Sequence, residues 1–508
     1  MVSFIARRIL VSVLILIAAS FIMYNLAAIA GNPLQDLQGS NSPNREALIA
    51  ARVASQHLDL IPPLRWGIWI GGVGKCVIGQ CDLGTTFHNQ AVIDLLPQAV
   101  GSTLQLVTFS FVLAIVFGIG LGIVTALRVY SGFDYAITLV SFFLYSLPSF
   151  LMAVLLKSFV ALDYNNFLAK PDIGIVTLIV ISIVMGAIVQ LIVGGEPRKR
   201  LITFVASAVI TGGMLSLMEA TNWFNNPSLG PVFVILFAAG LGLAMVTMLA
   251  GTKNKRAWLV GGINVFIAIV AYFALQGLLN VSSGATIFIL AVITVLVGLA
   301  SGFFVGGHDR GLMMRIGALT AFLSAGVVAL DRFMRSWSNY SHNFVGNRPI
   351  ATVGSSTPGL QADFWITGLD TYTHLLLPSI SLLLISFASY TRYSRSGMLE
   401  VLDQDYVRTA RAKGLPERTV IVRHALRNML IPIATLVATD IGALLGGAII
   451  TETVFAISGM GALFNSGLSI TDVNPVMGYF LVIAITAIVF NFLADLAYSA
   501  LDPRVRVR

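Results

Sequence analysis

Apolar residues run along this chain in blocks of roughly twenty, and most charged residues fall in the gaps between the blocks. A helix rises about 1.5 Å per residue, so a block of that length crosses the hydrocarbon core of a bilayer. The pattern predicts twelve such helices: Ile9–Ala30, Ser102–Leu127, Tyr135–Val160, Ile173–Val193, Leu201–Met218, Val232–Ala250, Trp258–Leu279, Thr286–Val305, Met314–Phe333, Leu375–Tyr393, Leu430–Thr451 and Gly478–Leu501. Ala28-Ile29-Ala30 mimics a signal-peptidase site, but the block before it exceeds the roughly 7–15 apolar residues of a signal peptide. It is read as an uncleaved first helix. Pro148 predicts a kink in the third helix, and the small stripe of Gly118, Gly120 and Gly122 predicts close approach of a neighbour to the second.

The gaps carry the orientation. Arg7 and Arg8 precede the first helix, and the basic turns at 196–200, 253–256 and 308–310 alternate with the neutral, Asn-rich turns at 222–227 and 280–284. With both termini on the cytoplasmic side, 22 of the 31 Lys and Arg fall inside, the bias expected of a multi-pass protein. The polar segment Gly31–Pro97 and a second segment from Arg335 to Tyr372 are then outer loops.

Composition agrees with this reading: 57% of the 508 residues are hydrophobic and 11% charged, which marks an all-α polytopic membrane protein. The net charge of +8 comes from short clusters between apolar blocks and carries no nucleic-acid signal. No Gly-x4-Gly-Lys-Ser/Thr is present, so any ATP is bound by a partner. Cys76 and Cys81 sit in the first outer loop with four residues between them. A small-loop disulfide and a pair of unlinked thiols are equally open there, and with no His pairing nearby a metal site is not expected.

The longest polar stretch of the C-terminal half, residues 398–432, reads as two short helices around a break. Val407, Ala410 and Gly414 share one face at helical spacing, opposite Arg408 and Arg411. The small residues Ala410, Ala412 and Gly414 keep the apolar face slim, suited to seat in a groove of another protein. Gly414 supplies the left-handed stop; Pro416 and Glu417 suit the start of the next helix.

Asp405 to Leu415 (DYVRTARAKGL), followed by HALRN at 424–428 and LIP at 430–432, resembles the cytoplasmic coupling loop of ABC importer permeases of the dipeptide, oligopeptide and nickel class. The general family pattern is Glu-Ala-Ala, three residues, Gly. Here Arg408 and Thr409 replace the Glu and first Ala, as is typical of the peptide class, while Ala410 and Gly414 match. Similar matches lie at Asp82–Phe87, Ser146–Phe150, Glu452–Phe455, Gly459–Gly461, Asn491-x3-Asp495-x2-Tyr498 and Asp502–Arg504. The resemblance implies a six-helix permease core in two halves, 1–160 and 373–508, with the coupling loop 398–432 in the second. Residues 161–372 are then an inserted accessory bundle of about six extra helices with its outer loop. It implies a permease subunit of an ATP-driven importer of peptides or similar small solutes in a bacterial cytoplasmic membrane. Its expected partners are a second permease subunit in a heterodimer, two cytoplasmic ATPase subunits and an extracytoplasmic binding protein. The contact with the ATPase is expected at Asp405, Tyr406, Arg408, Thr409, Ala410, Ala412, Lys413 and Gly414.

Ionisable residues at membrane depth are functional candidates. Asp440 suits a substrate path or proton relay, or a helix-packing hydrogen bond to Ser, Thr or backbone. Glu452, at the outer end of the eleventh helix, suits a gate or a wet interfacial carboxylate, and Asp495 belongs to a family-like motif. No Ser/His/Asp, Cys/His or His-Glu-x-x-His arrangement points to catalysis or a metal, so no enzyme and no bound cofactor is expected. The competing class is a twelve-helix secondary transporter. Such a protein usually has two related halves and charges at their interface, and neither is visible here.

Overall fold

The apolar blocks fold as helices whose ends are set by proline, glycine and short polar side chains. The computed structural model describes residues 2–39, 41 and 43–501. The helices are α1 (Val2–Ile29), α2 (Gln35–Gln38), α3 (Arg45–Ser55), α4 (Pro62–Lys75), α5 (Val92–Leu127), α6 (Gly132–Ser146), α7 (Ser149–Leu155), α8 (Asp163–Ala169), α9 (Ile175–Val193), α10 (Pro197–Ala220) and α11 (Gly230–Leu249). They continue as α12 (Lys255–Ala274), α13 (Gln276–Asn280), α14 (Gly284–Val305), α15 (Arg310–Asn339), α16 (Phe364–Leu402), α17 (Asp405–Ala412), α18 (Glu417–Thr419), α19 (Leu426–Gly447), α20 (Ile449–Phe455), α21 (Met460–Ser469) and α22 (Val473–Leu501). Among the described residues there are 12 helices long and apolar enough to cross a membrane, and no strand, only a single bridge between Thr85 and Ala91.

Several boundaries differ from the sequence expectation, each for a local reason. The third block breaks outright between α6 and α7. Leu147 is extended at ψ 130°, the conformation imposed on a residue before proline, and Pro148 then opens α7. The stretch expected as a second outer loop is helical at both ends, because α15 runs on to Asn339 and α16 starts at Phe364. Asp363 supplies the missed start signal: its Oδ1 accepts the Ile366 N–H at 2.8 Å. The segment expected as the first outer loop holds the short helices α2, α3 and α4, the first two tied by an Arg52–Asp36 ion pair at 2.5 Å. Cys76 and Cys81 are joined by a disulfide. The eleventh block ends early, at Gly447, and the chain turns by 86° between α20 and α21.

Two compact units divide the chain. The first contains residues 1–158, 352–355 and 375–508. Its largest apolar core gathers Tyr24, Trp69, Val92, Leu96, Met460 and Met477 from α1, α4, α5, α21 and α22. Helices α5 and α16 approach closely where glycine leaves room: a Cβ on Gly118 would collide with Tyr390 and one on Gly122 with Thr391 and Ser394. A bidentate pair between Arg395 and Asp134, at 2.8 and 3.0 Å, ties α16 to α6.

The second unit contains residues 159–351 and 356–374. Helices α14 and α15 meet backbone to backbone, since Cβ atoms on Gly298 and Gly302 would strike the carbonyls of Gly317 and Met313. Val246, Ala257, Val260, Met313 and Ile316 fill the seam of α11, α12 and α15. Asp331 of α15 accepts the N–H groups of Leu229 and Gly230 at 2.8 and 2.9 Å, which caps the start of α11.

Candidate coupling helix and membrane bend

The polar stretch after α16 forms a small hairpin with a short helix at its tip. Gln404 is extended and releases the chain from α16, and α17 follows. Gly414 stops it at φ +71°, with its N–H on the Arg411 carbonyl at 2.9 Å. Pro416 precedes Glu417, which returns an ion pair to Arg411 at 2.7 Å. The face carrying Val407 and Ala410 is not free for a partner, as the sequence had suggested. Val407 is fully buried and Ala410 nearly so, packed with Val420 and flanked by Val401 and Leu402 of this same chain. The face that remains outside carries Asp405, Tyr406, Arg408, Thr409, Ala412, Lys413 and Gly414. Tyr406 is 41% exposed despite its ring. The arrangement is a rigid peg whose inner face is anchored and whose outer face is polar, aromatic and basic.

A second constellation sits where α20 turns into α21. The turn passes through Ala456, a residue with a side chain held at φ +49°. Glu452 is fully buried there, so it is no wet interfacial group. Its Oε1 accepts the Thr103 hydroxyl at 2.6 Å, and its Oε2 accepts the N–H groups of Gly461 and Ala462 at 2.7 and 3.2 Å. Thr103 in turn accepts the Met460 N–H at 2.8 Å. The carboxylate thus caps the first turn of α21 and ties it to α5. Gly459 and Gly461 have a reason to be glycine, because a Cβ at either would run into the Glu452 carboxylate. The same bend is held from other sides by Lys157 Nζ donating to the Val454 carbonyl at 2.9 Å and by the Gly354 N–H on Phe455 O at 2.8 Å.

Asp440 accepts a hydrogen bond from the Tyr390 hydroxyl at 2.8 Å, which joins α19 to α16 through a tyrosine, where Ser, Thr or backbone had been expected. Tyr390 is buried and stacks edge-on against Phe111 at 6.0 Å. Asp495 is carried by α22; its side chain lies outside the described residues, as do Asp502, Pro503 and Arg504. The structure therefore keeps Asp405, Tyr406, Arg408, Thr409, Ala410, Ala412, Lys413 and Gly414 together on one hairpin and holds Asp440 and Glu452 in separate polar contacts.

Sequence reasoning missed Thr103, Tyr390 and Asp472. Asp472 is buried just ahead of α22 and accepts the Phe87 N–H at 2.7 Å. Beside it, the Asn474 amide donates to Gln56 Oε1 and Thr85 O, both at 2.8 Å. Only the Gly-x-Gly after Glu452 hinted at the first of these sites, by marking backbone that must come close to something.

Residues 272–507 match the family described as binding-protein-dependent transport system inner membrane component. The chain is 38% identical over 186 residues to the oligopeptide transport system permease protein OppB of Mycobacterium tuberculosis (strain ATCC 25618 / H37Rv), a match covering 37% of this chain and 55% of the relative. It is 45% identical over 138 residues to the dipeptide transport system permease protein DppB of Escherichia coli (strain K12), covering 27% and 41%. The chain thus spans about half the length of the curated relatives it matches. Residues 272–507 are thus similar to the inner membrane components of binding-protein-dependent transport systems, and the relatives matched are permease proteins of oligopeptide and dipeptide transport systems; with its long apolar helices the chain is a multi-pass membrane protein.

Proposed function

We propose that this chain is the transmembrane permease subunit of an ATP-driven importer of peptides or similar small solutes. It would pair with a second permease, with two ATPase subunits on the cytoplasmic side and with a binding protein outside. The observation that carries this reading is the peg of α17, anchored by Val407 and Ala410 and exposing Tyr406, Arg408 and Thr409. A helix fixed on one face and open on the other transmits a push from a docked partner without absorbing it. ATP stays on the partner, and coupling needs the ATPase dimer to favour one permease conformation over the other. The chain itself carries no catalytic role in this scheme. Both termini lie on the cytoplasmic side, the arrangement that puts α17 within reach of the ATPase.

The test is co-purification of the detergent-solubilised protein, with mass spectrometry of what comes with it. Wild type is expected to bring an ATPase, a Tyr406→Ala, Thr409→Glu double variant to lose it while keeping its melting temperature. Retention of the ATPase by that variant, or its absence from wild type, overturns the reading. Ala410→Glu is the wrong probe, because it places a charge in the hairpin's own core.

A further inference from the structure

The second unit holds a cavity of about 410 Å³ walled by α12, α14 and α15 and ended by Trp365. Its lining is almost wholly hydrocarbon, with Leu275, Leu290, Val297, Ala325 and Ala329 among the walls. The volume falls within the range of ligand sites, roughly 300–1,000 Å³. Along α12 and α13 the lining runs from Asn264 to Leu279. Fifteen residues at about 1.5 Å each give a length of about 20 Å, more than the roughly 15 Å depth of one leaflet's hydrocarbon. Ile267, Ile293 and Phe322 line it and remain exposed, so the cavity opens sideways, where acyl chains would be.

The end at Trp365 has a charge. Val328 and Ala329 line the cavity, and Arg332 follows one turn later on the same face of α15. Its guanidinium lies over the Trp365 ring, 6.0 Å from the centroid, and its Nε is buried without an acceptor. The neighbouring carboxylate does not serve it, since Asp331 is taken up by Arg335 at 2.8 Å and by the start of α11. Trp365 is itself fixed, donating to the Leu279 carbonyl at 2.7 Å. An apolar slot ended by an indole, with a cation over that indole whose Nε has no acceptor, matches one kind of molecule, an amphiphile with a long hydrocarbon tail and an anionic head.

We propose that this unit binds one anionic membrane phospholipid, with an acyl chain in the cavity and the phosphate at Arg332. Full-length protein in mild detergent, offered equal amounts of phosphatidylglycerol and phosphatidylcholine with identical chains, tests it by native mass spectrometry. Wild type is expected to retain one phosphatidylglycerol with a preference of about fivefold. Arg332→Gln should bring the two lipids to parity, Arg332→Lys should restore the preference, and Ala325→Trp, which fills the slot, should abolish retention of both. Equal retention by wild type, an unchanged preference in Arg332→Gln, or lipid still held by Ala325→Trp would each overturn it.

Discussion

Burial pushes the Asp472 carboxyl up to about 6, against the opposing pull of the Phe87 and Asn474 N–H groups and the charges of Arg52 and His88. Its folded value stands above the unfolded 3.8, so its contribution is fully present below about 4 and is lost as pH rises through 6. The loss is about 3 kcal/mol at most. Thermal unfolding of wild type should therefore show stability falling between pH 4 and 7, while Asp472→Asn should give a flatter profile; equal slopes would remove Asp472 as the cause. None of this was legible beforehand. Asp472 reads in sequence as one more polar loop residue, and its partner Phe87 stands 385 positions away. The short helix at 405–412 and the turn after it were legible because their information is local. Gly414, Pro416 and Glu417 determine a turn within a few positions, whereas the burial of Val407 and Ala410 depends on Val401 and Val420, which close over them only after the hairpin folds.

Among the elements, the bend between α20 and α21 departs furthest from a simple span. Backbone that leaves a helix inside a bilayer must find partners within the protein, and here Glu452, Thr103, Lys157 and Gly354 provide them. Gly461→Ala would press a methyl group on Ile449 Cα and the Glu452 carboxylate, a cost of about 1–3 kcal/mol. Glu452→Gln leaves one of three donors unserved, at about 1–3 kcal/mol. Melting temperatures of the solubilised protein should fall for each, and the double variant should fall by less than the sum, because both act on one site. A strictly additive pair would mean that the two residues do not share it. Hydropathy saw this region as the tail of one helix. An apolar run of mean length cannot tell a span from a span that folds back, and only the glycines flanking Met460 carried a trace of it.

At the scale of the whole molecule, the chain folds as two helical units, the second with its own seams and its own cavity. We regard the second as accessory to transport. Replacing Ala161–Gly354 with a short linker should leave co-purification with the ATPase intact, and loss of the complex would show instead that assembly needs it. The number of spans could be counted from the sequence, since twenty apolar residues in a row leave few alternatives to a membrane helix. The partition of α16, whose first turns to His374 belong to one unit and whose remainder belongs to the other, could not, because a continuous helix gives no composition signal at such a point. The bond between Cys76 and Cys81 has a consequence for how copies of the chain can be sorted. Disulfides form and persist chiefly in oxidising compartments, so in cells this bond would report the side of the membrane that the segment reaches during insertion. A copy threaded upside down would keep two alkylatable sulfurs, and a maleimide label would pick out misinserted molecules one by one.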